Sequence, residues 1–314
     1  MTTLSLLFGL VLLLLGGDSV VKAASGLAQR LKLSPFATGM FLVAFATSIP
    51  ELAVNTRAYF SGSQSLALGN AVGSNIVNFG LTLGVAALVA PLTIRWRGLA
   101  PLLLCLMAAT IATIALGYDG ALSRIEGIVF LAAFLAVLVF ATLRSRSESE
   151  DVKRELTEYE ATDAGLGRNA LRLAIGAVAL YYGAYYVVKH APVLGQALGM
   201  TPLTTGLLIV AIGTALPEVV TAAIAARRGQ GDIVAGHVIG SSLFNLLAIV
   251  GGMAALRDLP IPASFVRFEL PAALAFSLLL YPMLRRDLHI SRGEGAVLVL
   301  ALIGWVVFEV ALMR

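Results

Sequence analysis

Two glutamates, Glu51 and Glu218, stand out as residues able to do chemistry. Each lies well inside an apolar stretch, and each follows a proline, in TSIPE and TALPE. Even insertion scales assign an acid at the centre of a membrane helix a cost of about 2.5–3.5 kcal/mol. Most of the other acidic residues sit in loops or near the ends of apolar stretches. No intramembrane Lys or Arg is placed to neutralise the two, Lys22 being the nearest candidate. A bound cation or a proton is the natural counter-charge.

Oxygen-bearing residues surround both acids. A proline within a helix removes an amide donor and displaces the carbonyl one turn earlier. The carbonyls near Ala44, Thr47, Ala211 and Thr214 are therefore candidates to face a cavity, because irregular backbone at membrane depth is tolerated where it lines a polar site. Ser74 and Asn78 recur as Ser241 and Asn245, each pair four residues apart and so on one helix face. Hard cations such as calcium take six to eight oxygens from carboxylates, carbonyls, amides and water. Plainer roles exist for the neighbours. Ser and Thr often bond a carbonyl one turn back, the prolines can be simple kinks, and Gly69, Gly73, Gly236 and Gly240 have the spacing of close helix packing. His237 replaces Asn70 of the first half and is either a proton carrier or a structural residue, while His190 and His289 read as loop residues.

The elements that must hold these residues are membrane helices. Hydrophobic residues make up 59% of the 314, charged residues 13%, and mean hydropathy is +0.91. No soluble domain covers that much apolar surface. A span needs roughly 20 apolar residues. Ten runs qualify, at 4–28, 36–60, 66–90, 99–117, 124–144, 170–194, 203–227, 232–256, 265–284 and 293–312. They are continuous rather than alternating, which argues against a β-barrel. The polar segment 145–168 is expected to be a cytoplasmic loop, and its acidic run from Glu148 to Glu160 reads as a solvated face. The N-terminus lacks the basic region of a secretory signal and is read as the first span. The single cysteine, Cys105, excludes intrachain disulfides and a thiolate metal site. With both termini outside, 15 of the 22 Lys and Arg fall on the inner side and six on the outer, with Lys22 inside a span. Basic residues favour the cytoplasm, so this orientation is expected, in the cytoplasmic (inner) membrane.

The chain also repeats itself. Shifting it by 167 residues superimposes 33–52 on 200–219 and GNAVGSNIVN on GHVIGSSLFN, with about 31 identities in 91 ungapped positions. The shift covers five spans, an odd number, so the second copy is expected to be inverted. The expected architecture is an all-α membrane protein of ten transmembrane helices in two inverted five-helix repeats: 1–144, the loop 145–168, and 169–314. Such repeats characterise secondary transporters, with the substrate site between them at the midplane.

These motifs, ATSIPELAV with GNAVGSNIVN and GTALPEVVT with GHVIGSSLFN, resemble the repeats of the calcium/cation antiporter superfamily, in its prokaryotic sodium/calcium exchanger branch. The resemblance covers nearly the whole chain. It implies a Ca2+/Na+ antiporter working by alternating access, in which Glu51 and Glu218 jointly ligate calcium, or bind sodium and protons in its absence. Thr47, Thr214 and the carbonyls of Ala44 and Ala211 would be further ligands, and Ser48, Ser74, Asn78 and Ser241 fall on motif positions. Two departures bear on the ions: Ala215 replaces a serine, and Asn245 stands where several prokaryotic exchangers carry an aspartate. Ca2+/H+ exchange on the same glutamates is the alternative. A channel or a membrane sensor would use similar features. An enzyme is least expected, because no nucleophile–base pair or zinc motif accompanies the acids. The implied partners are the lipid bilayer and the ions, with no cofactor and no nucleic acid.

Overall fold

Backbone polar groups in hydrocarbon must be satisfied within their own segment, so long apolar runs become helices. The computed structural model describes residues 2–30, 48–95, 98–145, 165–286 and 288–312. Its helices are α1 (Thr2–Arg30), α2 (Ile49–Phe60), α3 (Gln64–Val89), α4 (Leu99–Leu116), α5 (Arg124–Ser145) and α6 (Leu166–Ala197). There follow α7, which runs from Pro202–Thr205 through Gly206–Val210 to Ala211–Arg227, then α8 (Gly231–Leu256), α9 (Ala263–Arg267), α10 (Glu269–Arg286) and α11 (Arg292–Leu312). Among the described residues, eight helices are long and apolar enough to cross a membrane. A ninth is the pair Pro202–Leu216 and Glu218–Arg227, bent by 44°. Of the run expected at 36–60, only α2 lies within the described residues.

Burial separates the helices into two sets. The spans of α3 and α8 are 78% and 89% buried within the protein, whereas that of α5 is only 22% buried. The first two are thus the central pair, and α5 presents most of its surface to lipid. Close approach of backbones builds this centre. A Cβ on Gly69 would collide with the Leu203 carbonyl, one on Gly73 with the Leu207 carbonyl, and one on Gly206 with the Leu66 carbonyl. The small residues therefore let α3 lie directly on the first half of α7. At the periphery, α1 packs along α6.

Regular α-geometry gives way at three central places. π-helical turns occupy Asn78–Leu83 in α3, Gly206–Val210 in α7 and Phe244–Val250 in α8. Such turns shift the backbone ladder and recur at functional sites. The two in α3 and α8 begin beside or on the sequence-equivalent residues Asn78 and Asn245.

Several polar residues at span ends have local jobs. Ser123 and Glu126 form a capping box, with the Ser123 N–H and hydroxyl donating to Glu126 Oε2 at 2.7 and 2.8 Å. Ser291 and Glu294 repeat it at 2.7 and 2.8 Å. Two short antiparallel strand pairs tie distant loops together: β1 (Leu92–Thr93) with β4 (His289–Ile290), and β2 (Ala121–Leu122) with β3 (Leu259–Pro260). The segment expected as a loop at 145–168 is shorter at both ends, since α5 includes Ser145 and α6 starts at Leu166. The acidic run itself lies outside the described residues. His190 is not a loop residue: α6 continues past it, and its ring stacks on Tyr186, 6.1 Å between centroids.

The α3–α7 seam yields a first prediction. Replacing Gly73 by Val should lower the melting temperature in detergent, because overpacking costs about 1–3 kcal/mol. Gly252→Ala, where a Cβ meets nothing within 4 Å, should leave it nearly unchanged. Equal melting curves for both variants would show that α3 and α7 do not touch as described.

Candidate functional site

Glu51 and Glu218 lie on different halves of the chain and meet in the interior. Glu51 is in the first turn of α2, which Ser48 precedes as N-cap and Pro50 opens. Glu218 follows the bend in α7. Their exposures are 3% and 5%, and the two carboxylates are close enough to feel each other's charge. Thr214, one turn before Glu218, places its hydroxyl between the Ala211 carbonyl, at 3.3 Å, and the Glu51 carboxylate. A side chain of the second half thereby reaches an acid of the first.

The expected counter-charge is not supplied by a basic residue. Lys22 pairs with Asp18 at 2.7 Å on α1. Among the described residues, no Lys or Arg forms an ion pair with Glu51 or Glu218. Glu51 Oε2 and Glu218 Oε2 are buried with no hydrogen-bond partner.

The central helices bring further oxygens. Ser74, Asn78, Ser241 and Asn245 are all buried on α3 and α8. Thr110, Thr113, Thr142 and Ser277 elsewhere donate to the carbonyl one turn back, at 2.7–3.0 Å. Ser74 differs, since its hydroxyl has no such bond. Ser241 lies 3.5 Å from the Nδ1 of His237, one turn away, which joins the histidine to the site's edge. Ser48 is buried and its carbonyl accepts the Leu52 N–H at 2.9 Å. Ala211 and Ala215 pack with Val77 in a small apolar cluster, so the position of the missing serine hydroxyl is filled by apolar contact. Ala44 and Thr47 lie outside the described residues.

Two asparagines, Asn75 and Asn55, escaped the sequence reading, and Asn70 entered it only as the counterpart of His237. Asn75 accepts from Asn245 Nδ2 at 3.1 Å and donates its own Nδ2 to the Ser242 carbonyl at 3.1 Å. It thus ties α3 to α8 and orients Asn245, whose Oδ1 has no hydrogen-bond partner. Positions 75 and 242 are equivalent under the 167-residue shift, but their residues differ, and a search for matched residues passes over them. Asn70, one turn before Ser74, donates its Nδ2 to Asn55 Oδ1, one turn after Glu51, at 2.9 Å. Asn55 faces an alanine, Ala222, in the repeat and gave no signal.

Among the described residues, no group of three or more His, Cys, Asp and Glu is arranged to hold a metal. Two carboxylates with hydroxyl, amide and carbonyl oxygens form a hard, oxygen-only donor set carrying two negative charges when both acids are ionised.

The profile of the "Sodium/calcium exchanger protein" family matches residues 1–143 and 169–311. The chain belongs to this sodium/calcium exchanger family. The membership makes it a membrane transporter and not an enzyme. It is 35% identical over 315 residues to the inner membrane protein YrbG of Escherichia coli, covering 97% of this chain and 95% of that one. Against the sodium/calcium exchanger MaX1 of Methanosarcina acetivorans it is 30% identical over 340 residues, covering 97% of each. Its fold matches the crystal structure of the sodium-calcium exchanger NCX_Mj soaked with 2.5 mM Na+ and 10 mM Sr2+, with a TM-score of 0.69 and 28% identity over 98% of this chain and 99% of that one.

The Asn75 bridge can be tested directly. Asn75→Ala removes one partner from two buried amide contacts, a loss worth about 1–3 kcal/mol. The melting temperature in detergent should fall, and fall further than in Ser277→Ala, whose hydroxyl donates to the Ala273 carbonyl of its own helix.

Proposed function

We propose that this exchanger moves Ca2+ against Na+ by alternating access in the cytoplasmic membrane, with both termini outside. The observation that carries this is the meeting of Glu51 and Glu218, buried, adjacent and without a basic partner among the described residues. Two ionised carboxylates balance one calcium ion or two monovalent ions. Thr214, Ser74, Asn245 and the Ala211 carbonyl would complete the shell, with Ser48, Asn78, Ser241, Thr47 and the Ala44 carbonyl as further ligands. The likeness to MaX1 and NCX_Mj, both named as sodium/calcium exchangers, supports the choice of ions.

In this reading the halves 1–144 and 169–314 are inverted five-helix repeats joined by a cytoplasmic loop. The pairing of Asn75 with Ser242, at equivalent positions of the two halves, supports a symmetry axis between α3 and α8. Calcium and the monovalent ions compete for one cluster. The empty, doubly charged cluster is costly to carry across a low-dielectric barrier, and that cost enforces exchange over leak. A channel would lack this coupling.

One observation favours protons as the exchanged ion. Ala215 is locked into apolar contact with Val77 and Ala211, so a monovalent-ion site there has lost a side-chain oxygen. Protons need no coordination shell and can neutralise the same carboxylates.

Calcium uptake into proteoliposomes separates the readings. A sodium gradient should drive uptake and a pH gradient should not; the reverse result establishes proton coupling. Glu51→Gln and Glu218→Gln should each reduce uptake to the level of empty vesicles, and wild-type flux in either variant would remove the pair from the mechanism. Ala215→Ser should raise the sodium affinity measured as competition with calcium uptake.

A further inference from the structure

A second pair of buried acids lies away from the cluster. Glu269 opens α10, and Glu309 lies in the last turn of α11. They are 6% and 4% exposed. The residues just before them, Phe268 and Phe308, bring their rings to 6.0 Å between centroids, which sets the two helix ends side by side. The two carboxylates lie within reach of each other's charge. Each keeps one buried oxygen without a hydrogen-bond partner, Glu269 Oε2 and Glu309 Oε1. Trp305, one turn before Glu309, is more than nine-tenths buried and turns its indole N–H toward that carboxylate without completing a hydrogen bond.

The elements packed around the pair offer little other charge. α3 carries no titratable residue and α4 only Cys105. Arg267, at the end of α9, is exposed, as are Tyr118 and Asp119 packed on that helix. Arg292, Glu294 and His289 belong to the opposite ends of α10 and α11. Two bare carboxylates near each other and out of water repel. A metal ion would want six or more oxygens, and an indole N–H points at negative charge, not at a cation. One proton meets the requirement, because it halves the charge of the pair and bridges two buried oxygens that lack a partner.

We propose that Glu269 and Glu309 form a proton-binding site. One proton is shared between Glu269 Oε2 and Glu309 Oε1. The pair changes from two negative charges to one, and Trp305 faces the charge that remains. The shared proton clamps the start of α10 to the end of α11. The equivalent positions in the first half are Leu102 and Thr142, so this site is confined to the second half and is separate from the Glu51–Glu218 cluster. At alkaline pH the proton leaves, repulsion returns, and the clamp opens.

The test uses the full chain in detergent with Glu51→Gln and Glu218→Gln as background, which leaves Asp232, paired with Arg95 at 3.5 Å, as the one other buried acid among the described residues. Infrared spectroscopy at neutral pH should show the carbonyl stretch of a protonated carboxyl, and the band should vanish on adding Glu309→Gln or Glu269→Gln. The melting temperature of the background should drop as pH rises from neutral to alkaline. Either added variant should flatten that drop, because a Gln–Glu pair keeps an amide hydrogen bond without a proton. Absence of the band in the folded background overturns the proposal even if the added variants fail to fold. Stabilisation of the background by Ca2+ or Na+ that Glu309→Gln abolishes overturns it too, in favour of a cation.

Discussion

Negative charge held out of water is the constraint on which the rest of this structure depends. Glu51 and Glu218 are both buried, and two negative charges held together out of water repel. A basic residue could have settled the matter permanently, but a permanent salt bridge would leave nothing to transport. In the proposed function the helices instead gather neutral oxygens around the acids, which lowers the cost of a mobile cation without replacing it. Thr214, Ser74 and Asn245 fit that role because each is buried and carries an oxygen that its own helix does not fully use.

Gathering such oxygens requires helices to come closer than ordinary side chains allow. Gly69, Gly73 and Gly206 remove the Cβ atoms that would hold α3 and α7 apart. π-helical turns then re-aim the backbone at the level of Asn78, Ala211 and Asn245. The Asn245–Asn75–Ser242 chain locks α3 to α8 with hydrogen bonds that keep the Asn245 oxygen available. Packing and site are one feature here, since the contacts that stabilise the central pair also orient the donors.

The duplicated halves are not equal, and the differences carry information. Ala215 packs where the family pattern has a hydroxyl. Asn75 corresponds to Ser242 and Asn70 to His237, so the two halves surround the acids with different side chains. Glu269 and Glu309 are acids of the second half alone. In the proposed function a symmetric scaffold explains how a central site arises, and the unmatched residues bear on which ions it takes.

Membrane residence, the duplication and the two glutamates were legible in the sequence because they are matters of solvent and period. Apolar runs of the right length admit one solvent, and acids inside them need a counter-charge whatever the fold. The glycine spacing likewise foretold a close seam between helices. Which side chains complete the site was decided only by tertiary structure. Thr214 reaches Glu51 from more than 160 residues away, Lys22 turns to Asp18, and Asn75 bridges to the other half. His190, which reads as a loop residue beside a proline, sits within α6 because that helix tolerates Pro192 and runs on to Ala197. The physical reason is common to all of these. Burial and periodicity are properties of a segment, whereas the partner of a polar atom is set by how distant helices cross, and that geometry has no local signature.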